Sequence, residues 1–467
     1  MKAINPIIIS GRYTILIPPL LLSFLLYCCD SFVEVDLPKS QLTTKTVFEN
    51  YHTADAALSD IYASIRDTGI LSGMSYGVSN QLACYSDELT WYGTPLSTTE
   101  SFYSNALLPS NSAITEYWRA AYVQIYAANA ILEGSKSSLS LTSANKEQLE
   151  GEALFIRALL HFYLVNLYGD IPYITTTDYK VNAVVSKLSQ SDIYQHIELD
   201  LQQAALLLSS PQSNNERVRP GKSAVYSLLA RVYLYSQSWT KANSSASVVI
   251  NDIGLYTLES IQNAFLKDSR ETIWQLQPAT PSQNTDEAIT FILSSTPPLT
   301  TSLSNSLMES FAANDLRKKN WIQGISNGDL IWYYPFKYKI SNTTPVSMEY
   351  PIVMRLAEQY LIRAEARAQK GDLNAAEEDL NHVRRRAGLD SKENLDKQAL
   401  LDAIQDERRW EFFTEYGHRF FDLKRSGRIN QVLSAVKPGW DPHDIFFPIP
   451  QSELELNPKL LPQNDGY

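Results

Sequence analysis

The stretch EQYLIRAEARAQKGDLNAAEEDLNHVRRRAG, residues 358–388, contains two helical patterns separated by a turn. Gly371 and Asp372 supply the turn, because turns favour glycine and aspartate. Ala364 lies in the first pattern and Ala376 in the second. Small residues at matched points let two antiparallel helices approach closely, as in a tetratricopeptide hairpin. The stretch therefore predicts a helical hairpin.

A second stretch has the same arrangement. Residues 223–250, SAVYSLLARVYLYSQSWTKANSSASVVI, carry Ala230 and Ala242 at the same spacing, with Trp239 at the turn between them. Two such stretches predict several hairpins packed side by side. The alternative is a set of unrelated amphipathic helices, which the same periodicity also allows.

Three further stretches have helical periodicity, at residues 47–67, 113–134 and 145–173. Their apolar residues recur at spacings of three and four, which gives each helix an apolar face. At the end of the third stretch, Gly169 is a natural C-terminal cap and Pro172 prevents the helix from continuing. These patterns predict a mainly α fold.

The other segments lack this periodicity. Residues 67–112 mix glycine, serine and asparagine with aromatic residues and predict an irregular region. Within residues 252–350, alternation at 270–280 and an aromatic, turn-rich run at 321–340 predict loops and short strands inserted into the helical scaffold. The proline-rich tail after Gly427 predicts an extended segment over the helices.

The composition excludes some classes of partner. The 467 residues have a formal net charge of −11, whereas nucleic acid requires a basic surface, so nucleic-acid binding is not expected. No CxxC or HExxH motif indicates a metal site, and no cofactor is expected. We expect His161 and His418 in the core or at a packed interface, since no second ligand stands at metal spacing.

The amino terminus has the pattern of a secretion signal. An apolar run at residues 13–27, YTILIPPLLLSFLLY, follows Lys2 and Arg12 and is shorter than the roughly 20 residues that span a bilayer. It ends at Cys28-Cys29, and a cysteine directly after an apolar signal resembles the lipobox of bacterial lipoproteins. Cleavage before Cys29 leaves the small Cys28 before the cut, so Cys29 is the predicted lipidation site. A plain secretion signal with two incidental cysteines is the alternative.

Motifs spread along the whole chain, and in a consistent order, resemble one known family. They are CDSFVEVDLP at 29–38, EALFIRALLHFYLVNLYGDIPY at 152–173, AVYSLLARVYLYSQSWTKA at 224–242, the hairpin stretch at 353–389, ERRWEFFTEYGHRFFDLKRSGR at 407–428 and FFPIPQSELELNPKLLPQNDGY at 446–467. With these motifs the chain resembles the SusD/RagB family, the surface lipoproteins that work with TonB-dependent outer-membrane transporters to capture nutrients.

The resemblance implies a mostly helical protein with four tetratricopeptide-like hairpins and a loop-rich ligand-binding side. Together with the residue patterns above, we expect a signal peptide at residues 1–28, a lipidated amino terminus and tether at 29–45, and a single SusD-like domain at 46–467 with the insertion around 252–350. The expected location is the extracellular face of the outer membrane, held by the lipid anchor.

The function that the resemblance implies is the capture of a glycan or oligosaccharide, without catalysis, and its delivery to a SusC-like TonB-dependent transporter. A peptide-binding member of the same uptake system is one alternative. A secreted glycoside hydrolase, suggested by the acidic composition and the aromatic loops, is another.

Two charged segments bear on the choice between binding and catalysis. In residues 407–425, charges of both signs lie among bulky aromatic residues, and we expect these charges to pair as they lose solvent. Asp87-Glu88 lies beside Trp91-Tyr92, and paired carboxylates can cleave a glycosidic bond. Adjacent loop residues seldom have the opposed geometry which that reaction needs, so we expect solvated loop charges here.

The candidate ligand contacts are aromatic residues outside the helical patterns. Sugar binding needs flat aromatic faces with polar neighbours. Trp91 is the first candidate, because Gly93 and Pro95 hold its segment in a turn and Asp87 and Glu88 offer hydroxyl acceptors. The full set is Trp91, Tyr92, Tyr85, Tyr103, Trp274, Trp321, Trp332 and Tyr334. For each of them the alternative is packing against a helix.

The first prediction concerns the lipid anchor. We expect Cys29→Ala to abolish metabolic lipid labelling and to move the protein out of the membrane fraction, because a multiply acylated cysteine is what makes anchoring stable. Cys28→Ala is the matched control and should keep its label. Unchanged labelling of the Cys29→Ala protein would contradict the assignment.

Overall fold

The computed structural model describes residues 44–95, 97–209 and 216–467. The predicted signal peptide, the lipidation site Cys29 and almost all of the predicted tether lie outside these residues. Thr44–Tyr467 forms one unit. The residue limits given above for the signal, the tether and the insertion stay predictions.

α-Helices dominate the described residues, so the predicted mainly α class is confirmed. None of the described helices is both long enough and apolar enough to cross a membrane. The α-helices are α1 (Thr44–Val47), α2 (Tyr51–Asp67), α3 (Val78–Tyr85), α4 (Thr98–Tyr103), α5 (Ser112–Ser137), α6 (Ser143–Tyr168), α7 (Tyr179–Asn182), α8 (Gln190–Leu207), α9 (Lys222–Tyr235), α10 (Trp239–Ile250), α11 (Asp286–Phe291), α12 (Asn305–Ser310), α13 (Leu316–Asn320), α14 (Leu356–Gln369), α15 (Leu373–Arg386), α16 (Lys397–Phe412), α17 (His418–Arg425), α18 (Ile429–Val436) and α19 (Gln451–Leu456).

The two predicted hairpins form where the small residues indicate. α9 packs against α10, α14 packs against α15, and α10 also packs against α14. Ala230, Ala242, Ala364 and Ala376 are all fully buried. A larger side chain at these points would hold the two helix backbones apart in a close-packed interior. The prediction of tetratricopeptide-like hairpins is therefore confirmed.

The hairpins continue a longer series of packed helices, in which α5 packs on α6, α6 on α8 and α8 on α9. Every residue from Gly151 to Tyr168 of α6 is buried, which places this helix inside the molecule instead of at its surface. Gly169 ends the helix at a φ of 77°, a conformation that favours glycine, and the prediction of a cap at this residue is confirmed.

Three antiparallel strand pairs lie between the helices. β1 (Leu89–Trp91) pairs with β3 (Thr301–Leu303), and β2 (Thr272–Gln275) pairs with β6 (Ile352–Arg355). β4 (Ile322–Asn327) and β5 (Leu330–Pro335) form a hairpin. The alternation at 270–280 does not produce a half-exposed strand, because all four residues of β2 are buried between neighbouring elements.

Two segments are more regular than the sequence predicts. Residues 67–112 contain α3, α4 and β1, and every residue of α3 is buried, so this helix has no polar face that would reveal a helical period. After Gly427 the tail forms α18 and α19 with 3₁₀ turns at Pro442–Ile445 and Pro458–Leu460, so it is not extended throughout.

A buried network of ion pairs joins α13, α16 and β6. The Arg317 side chain is fully buried and contacts carboxylates of Glu407 at 2.6 Å and Glu411 at 3.0 Å. The Arg355 and Arg386 guanidiniums also contact Glu411. Burial alone would raise the pKa of Glu411, but these three guanidiniums hold it well below its usual range. The predicted pairing of charges within 407–425 is confirmed.

The buried carboxylate of Glu287 in α11 has few hydrogen-bond partners. The Tyr416 hydroxyl donates a hydrogen bond to one oxygen at 3.4 Å, and the other oxygen has no hydrogen-bond partner among the described residues. Burial raises the pKa of Glu287 to about 7. The ionised form is therefore disfavoured in the folded protein.

The second prediction tests the register of the hairpin. We expect Ala376→Trp to destabilise the protein by roughly 1–3 kcal/mol or more, because the close approach of α14 and α15 leaves no space for an indole. Asn374→Trp is the matched control, since Asn374 is exposed on the same helix. Chemical denaturation measures both variants, and a wild-type stability for Ala376→Trp would contradict the packing.

The third prediction concerns the pH dependence of stability. Because the pKa of Glu287 is higher in the folded protein than in the unfolded chain, its contribution to stability falls as pH rises from about 4.5 to about 7. We expect Glu287→Gln to gain stability over wild type as pH rises from 5 to 8. The exposed Glu309→Gln is the control, and an equal difference at both pH values would contradict the burial effect.

Candidate functional site

Trp91 is the last residue of strand β1, and Tyr92 follows it directly. Trp91 pairs with Thr301 of β3, and the Tyr92 backbone N–H donates to the Thr300 carbonyl at 2.8 Å. The Tyr92 side chain is 42% exposed, whereas Trp91 is half-buried. Tyr92 therefore offers the more open ring.

Gly93 explains part of the burial of Trp91. A Cβ atom added at Gly93 would lie 2.1 Å from a carbon of the Trp91 six-membered ring, so only glycine lets the backbone lie against this ring. The Trp91 Nε1 atom is buried and has no hydrogen-bond partner among the described residues. One side of the indole is thus covered by the chain itself.

Tyr103 of α4 completes a group of three rings, which we call the aromatic patch (Trp91, Tyr92 and Tyr103). Partial burial raises the pKa of Tyr103, and the neighbouring Tyr92 raises it further, whereas a hydrogen bond with Thr90 lowers it. The Lys437 ammonium lies 3.9 Å from the Tyr103 ring centroid. The structure therefore brings Tyr92 and Tyr103 together beside the hydroxyl of Thr90, and Trp91 is the chain neighbour of Tyr92.

The β4–β5 hairpin holds two further candidates and lies beside the patch strands, because β5 packs next to β3. Trp332 is half-buried and pairs with Ile325 across the hairpin. Tyr334 is buried. Ligand contact stays a prediction for Trp332, whereas Tyr334 has almost no accessible surface to offer.

Three of the predicted contacts are wrong, because Tyr85, Trp274 and Trp321 have no exposed surface. Each polar tip has a partner inside the molecule. The Tyr85 hydroxyl donates to the Asp444 carbonyl at 3.0 Å, and the two indoles donate to backbone carbonyls at 3.3 and 2.8 Å. These rings are packing residues of the core.

Asp87 and Glu88 are also placed differently from the prediction of solvated loop charges. Asp87 is buried and contacts Arg419 at 2.8 Å and Arg409 at 2.9 Å. Glu88 is buried and accepts a hydrogen bond from the Thr414 backbone at 3.3 Å, and burial raises its pKa to about 8. Neither carboxylate is available to a sugar hydroxyl at the surface.

The histidine predictions are confirmed, because His161 and His418 are both buried. His161 Nδ1 hydrogen-bonds the Arg157 carbonyl at 2.8 Å, and burial lowers its pKa to about 3. Within the described residues, no group of three or more histidine, cysteine or acidic side chains is arranged to hold a metal ion.

A polar cleft of about 160 Å³ was not predicted from the sequence. We call it the α11 cleft, because α11 forms one wall of it. Its lining comes from the end of α2 and from the loops around α11 and after β5, and comprises Arg66, Asp67, Pro278, Ala279, Gln283, Asn284, Thr285, Asp286, Ile289, Ile340, Ser341, Asn342, Thr343 and Pro351. The hydroxyl- and amide-rich runs at 280–285 and 341–344 are the signal that sequence reasoning missed.

Loop 68–77 contacts helix α11 next to this cleft. The Thr290 hydroxyl of α11 donates to the Gly73 carbonyl at 2.9 Å, and a Cβ atom at Gly73 would meet the buried Glu287 carboxylate at 2.4 Å. The chain then runs from α11 into β3, which pairs with β1 beside the aromatic patch. One segment thus contributes to both features.

Two family models match separate parts of the chain. Residues 47–234 match a model described as starch-binding and associating with the outer membrane, and residues 316–467 match the model of the SusD family. The matched ranges contain the helical series, the second hairpin and the buried ion pairs of α16 and α17. Helix α10 of the first hairpin lies between the two ranges.

Relatives that are named SusD-like proteins match this chain over almost its full length. SusD-like protein P25 of Formosa agariphila is 24% identical, over 96% of this chain and 98% of the relative. SusD-like protein P38 of the same organism is also 24% identical, over 94% of this chain and 96% of the relative.

Solved structures share the fold. A SusD superfamily protein from Bacteroides vulgatus superposes with a TM-score of 0.78 at 22% identity, covering 90% of this chain and 100% of the other. A structure named a laminarin-binding SusD-like protein has a TM-score of 0.75 at 23% identity, covering 89% and 99%. The family models, the full-length relatives and the common fold agree, and the protein belongs to the SusD/RagB family.

Proposed function

We propose that the protein is a cell-surface lipoprotein that captures an oligosaccharide on the aromatic patch and delivers it to a SusC-like TonB-dependent transporter. The lipid on Cys29 holds it at the outer face of the outer membrane. It performs no chemistry on the ligand. Family membership and the outer-membrane description of one matching model support this role.

The observation that carries the proposal is the exposed Tyr92 ring among hydroxyl groups. Sugar recognition combines a flat aromatic face for the C–H side of a ring with polar groups for its hydroxyls. Tyr92 supplies the face at 42% exposure, and its own phenolic hydroxyl and the half-buried Thr90 and Tyr103 supply polar groups beside it. The half-buried Trp332 on the neighbouring hairpin extends the surface.

A glycan is the ligand class that this surface favours. A structural neighbour with the same fold is named as laminarin-binding, which supports a saccharide ligand here as well. The charges of Asp87 and Glu88 do not help to choose between a glycan and a peptide ligand, because both carboxylates are buried. The Lys437 ammonium beside Tyr103 is buried and donates to two backbone carbonyls, so it offers little to the terminus of a peptide.

The fourth prediction tests the patch by mutation. Against a panel of neutral oligosaccharides that includes laminarin fragments, we expect Tyr92→Ala to lose about tenfold or more in affinity, which corresponds to about 1.4 kcal/mol. Trp91→Ala should lose a smaller part. Tyr179→Ala removes another exposed tyrosine, on α7, and should bind as wild type does.

Melting temperature separates binding from packing in this test. The Tyr92→Ala protein should melt as wild type does, because its ring is not part of the core. Binding confined to peptides would favour the alternative member of the uptake system. New reducing ends after prolonged incubation with a bound oligosaccharide would contradict the absence of catalysis.

A further inference from the structure

A buried lysine joins the ends of two helices at the aromatic patch. Lys437 directly follows α18 and is buried. Its ammonium donates to the carbonyl of Cys84, near the end of α3, and to the carbonyl of Tyr103, the last residue of α4, at 2.9 Å. Both helices also contact β1. One side chain thus fastens the two helices between which the chain forms the strand that ends in Trp91.

The two carbonyls are among those that a helix cannot pair internally. The last four C=O groups of an α-helix have no N–H partner within the helix, and a cationic side chain is a favourable partner for them. Asn105 supplies further caps here, because its side-chain amide donates to the Tyr85 carbonyl at 2.9 Å and its backbone N–H to the Phe102 carbonyl at 3.2 Å. Lys437 and Asn105 therefore cap both helices together.

The Lys437 ammonium also faces the Tyr103 ring, at 3.9 Å from its centroid, which is the geometry of a cation–π contact. The turn that carries the lysine is fixed against the end of α4. A Cβ atom added at Gly439 would lie 2.0 Å from the Ser104 carbonyl oxygen, and the Trp440 backbone N–H donates to the Lys437 carbonyl at 3.0 Å. Lys437 thus holds both the backbone and the ring of Tyr103.

The charge of Lys437 is not explained by an ion pair. Asp87 is the carboxylate whose charge acts on it, but Asp87 is itself paired with Arg409 and Arg419. Burying an ammonium without a carboxylate of its own costs free energy, and carbonyl oxygens and an aromatic ring offset only part of that cost. What the ammonium provides is the position of the groups that it contacts.

We infer that Lys437 is a positioning residue for the aromatic patch: its protonated ammonium holds the Tyr103 ring and the ends of α3 and α4 in the arrangement that receives a saccharide, and loss of the proton loosens that arrangement. The inference rests on the proposed saccharide function, and it adds a regulation by pH to the same site. Lys437 itself is buried and does not touch the ligand.

The consequence for binding follows from the protonation of the amine. Burial lowers the pKa of Lys437 to about 8, although Cys84 and Asp87 act in the opposite direction. Between pH 7 and pH 9 the ammonium therefore becomes an amine, which has two N–H donors and a lone pair in place of three donors. Its hydrogen bonds lose their charge assistance and the cation–π attraction is lost. The patch should bind its ligand less tightly over this range.

The groups that face Lys437 titrate elsewhere, with one exception. Although burial would raise the pKa of Asp87, its two arginine partners lower it, so Asp87 stays ionised between pH 7 and pH 9. Burial raises the pKa of Cys84 to about 12 and also raises that of Tyr103, so both stay protonated. Glu88 is the exception, because burial raises its pKa to about 8 and its charge acts on Cys84. A Glu88→Gln variant separates its titration from that of Lys437.

The fifth prediction follows the Tyr103 ring by NMR of ligand-free protein labelled with ¹³C-tyrosine, with Tyr103→Phe to assign the resonance. In the wild type we expect this resonance to shift between pH 7 and pH 9, with a midpoint of about 8. Lys437→Met and Lys437→Arg should both abolish the shift, because neither side chain loses a proton in this range. Glu88→Gln should keep it.

The same variants test the binding of the panel of neutral oligosaccharides. From pH 7 to pH 9 we expect the affinity of the wild type to fall by about threefold to tenfold. Lys437→Met should bind more weakly than wild type at pH 7 and show no further fall. Lys437→Arg keeps a charge and should bind equally well at both pH values. Lys459→Met removes an exposed lysine and should behave as wild type does.

Three results would overturn the inference. They are a Tyr103 resonance that does not move in the wild type, a shift that survives Lys437→Met or disappears in Glu88→Gln, and a Lys437→Met protein that binds as tightly as wild type at pH 7. If Lys437→Met does not fold, Lys437→Arg decides through its pH profile. Failure of every oligosaccharide to bind would instead contradict the proposed function, and the ligand-free titration would still decide the role of Lys437.

Discussion

The pairing of buried charges around Glu411 is the interaction on which the rest of the structure depends. Three guanidiniums, from Arg317, Arg355 and Arg386, converge on this one carboxylate from three different elements. Each guanidinium also contacts a second carboxylate, Glu407 for Arg317 and Glu271 for Arg355 and Arg386, so the charges form one connected buried network. The helices cannot separate without exposing or stranding these charges, so the network fixes which elements meet.

The same network positions the proposed ligand-binding side. Lys337, directly after β5, donates to the carbonyls of Glu411 and Phe413 at 2.8 and 2.9 Å and so fastens the hairpin that carries Trp332 to α16. Asp87, directly before β1, is fastened to α16 and α17 through Arg409 and Arg419. Two loop segments with little secondary structure of their own are thus attached to the helices by buried ions, which gives the aromatic patch a rigid base.

Local patterns in the sequence predicted the parts of the fold that depend on local physics. The alanines at matched points, the cap at Gly169 and the charges of 407–425 each carry their meaning in a few neighbouring residues. The burial of an aromatic ring cannot be read from its neighbours in this way. Trp274 and Tyr92 both lie in non-helical segments, and residues distant in the sequence determine that Trp274 is buried and Tyr92 exposed. Asp87 and the α11 cleft were missed for the same reason, because their partners lie more than two hundred residues away.

Gly93 has a consequence for the direction from which a sugar chain reaches the protein. Its backbone occupies the space against one side of the Trp91 indole, and a Cβ atom there would lie 2.1 Å from the ring. For the oligosaccharide of the proposed function, the indole can therefore be reached from its uncovered side alone, and the direction of approach is set by a single residue without a side chain.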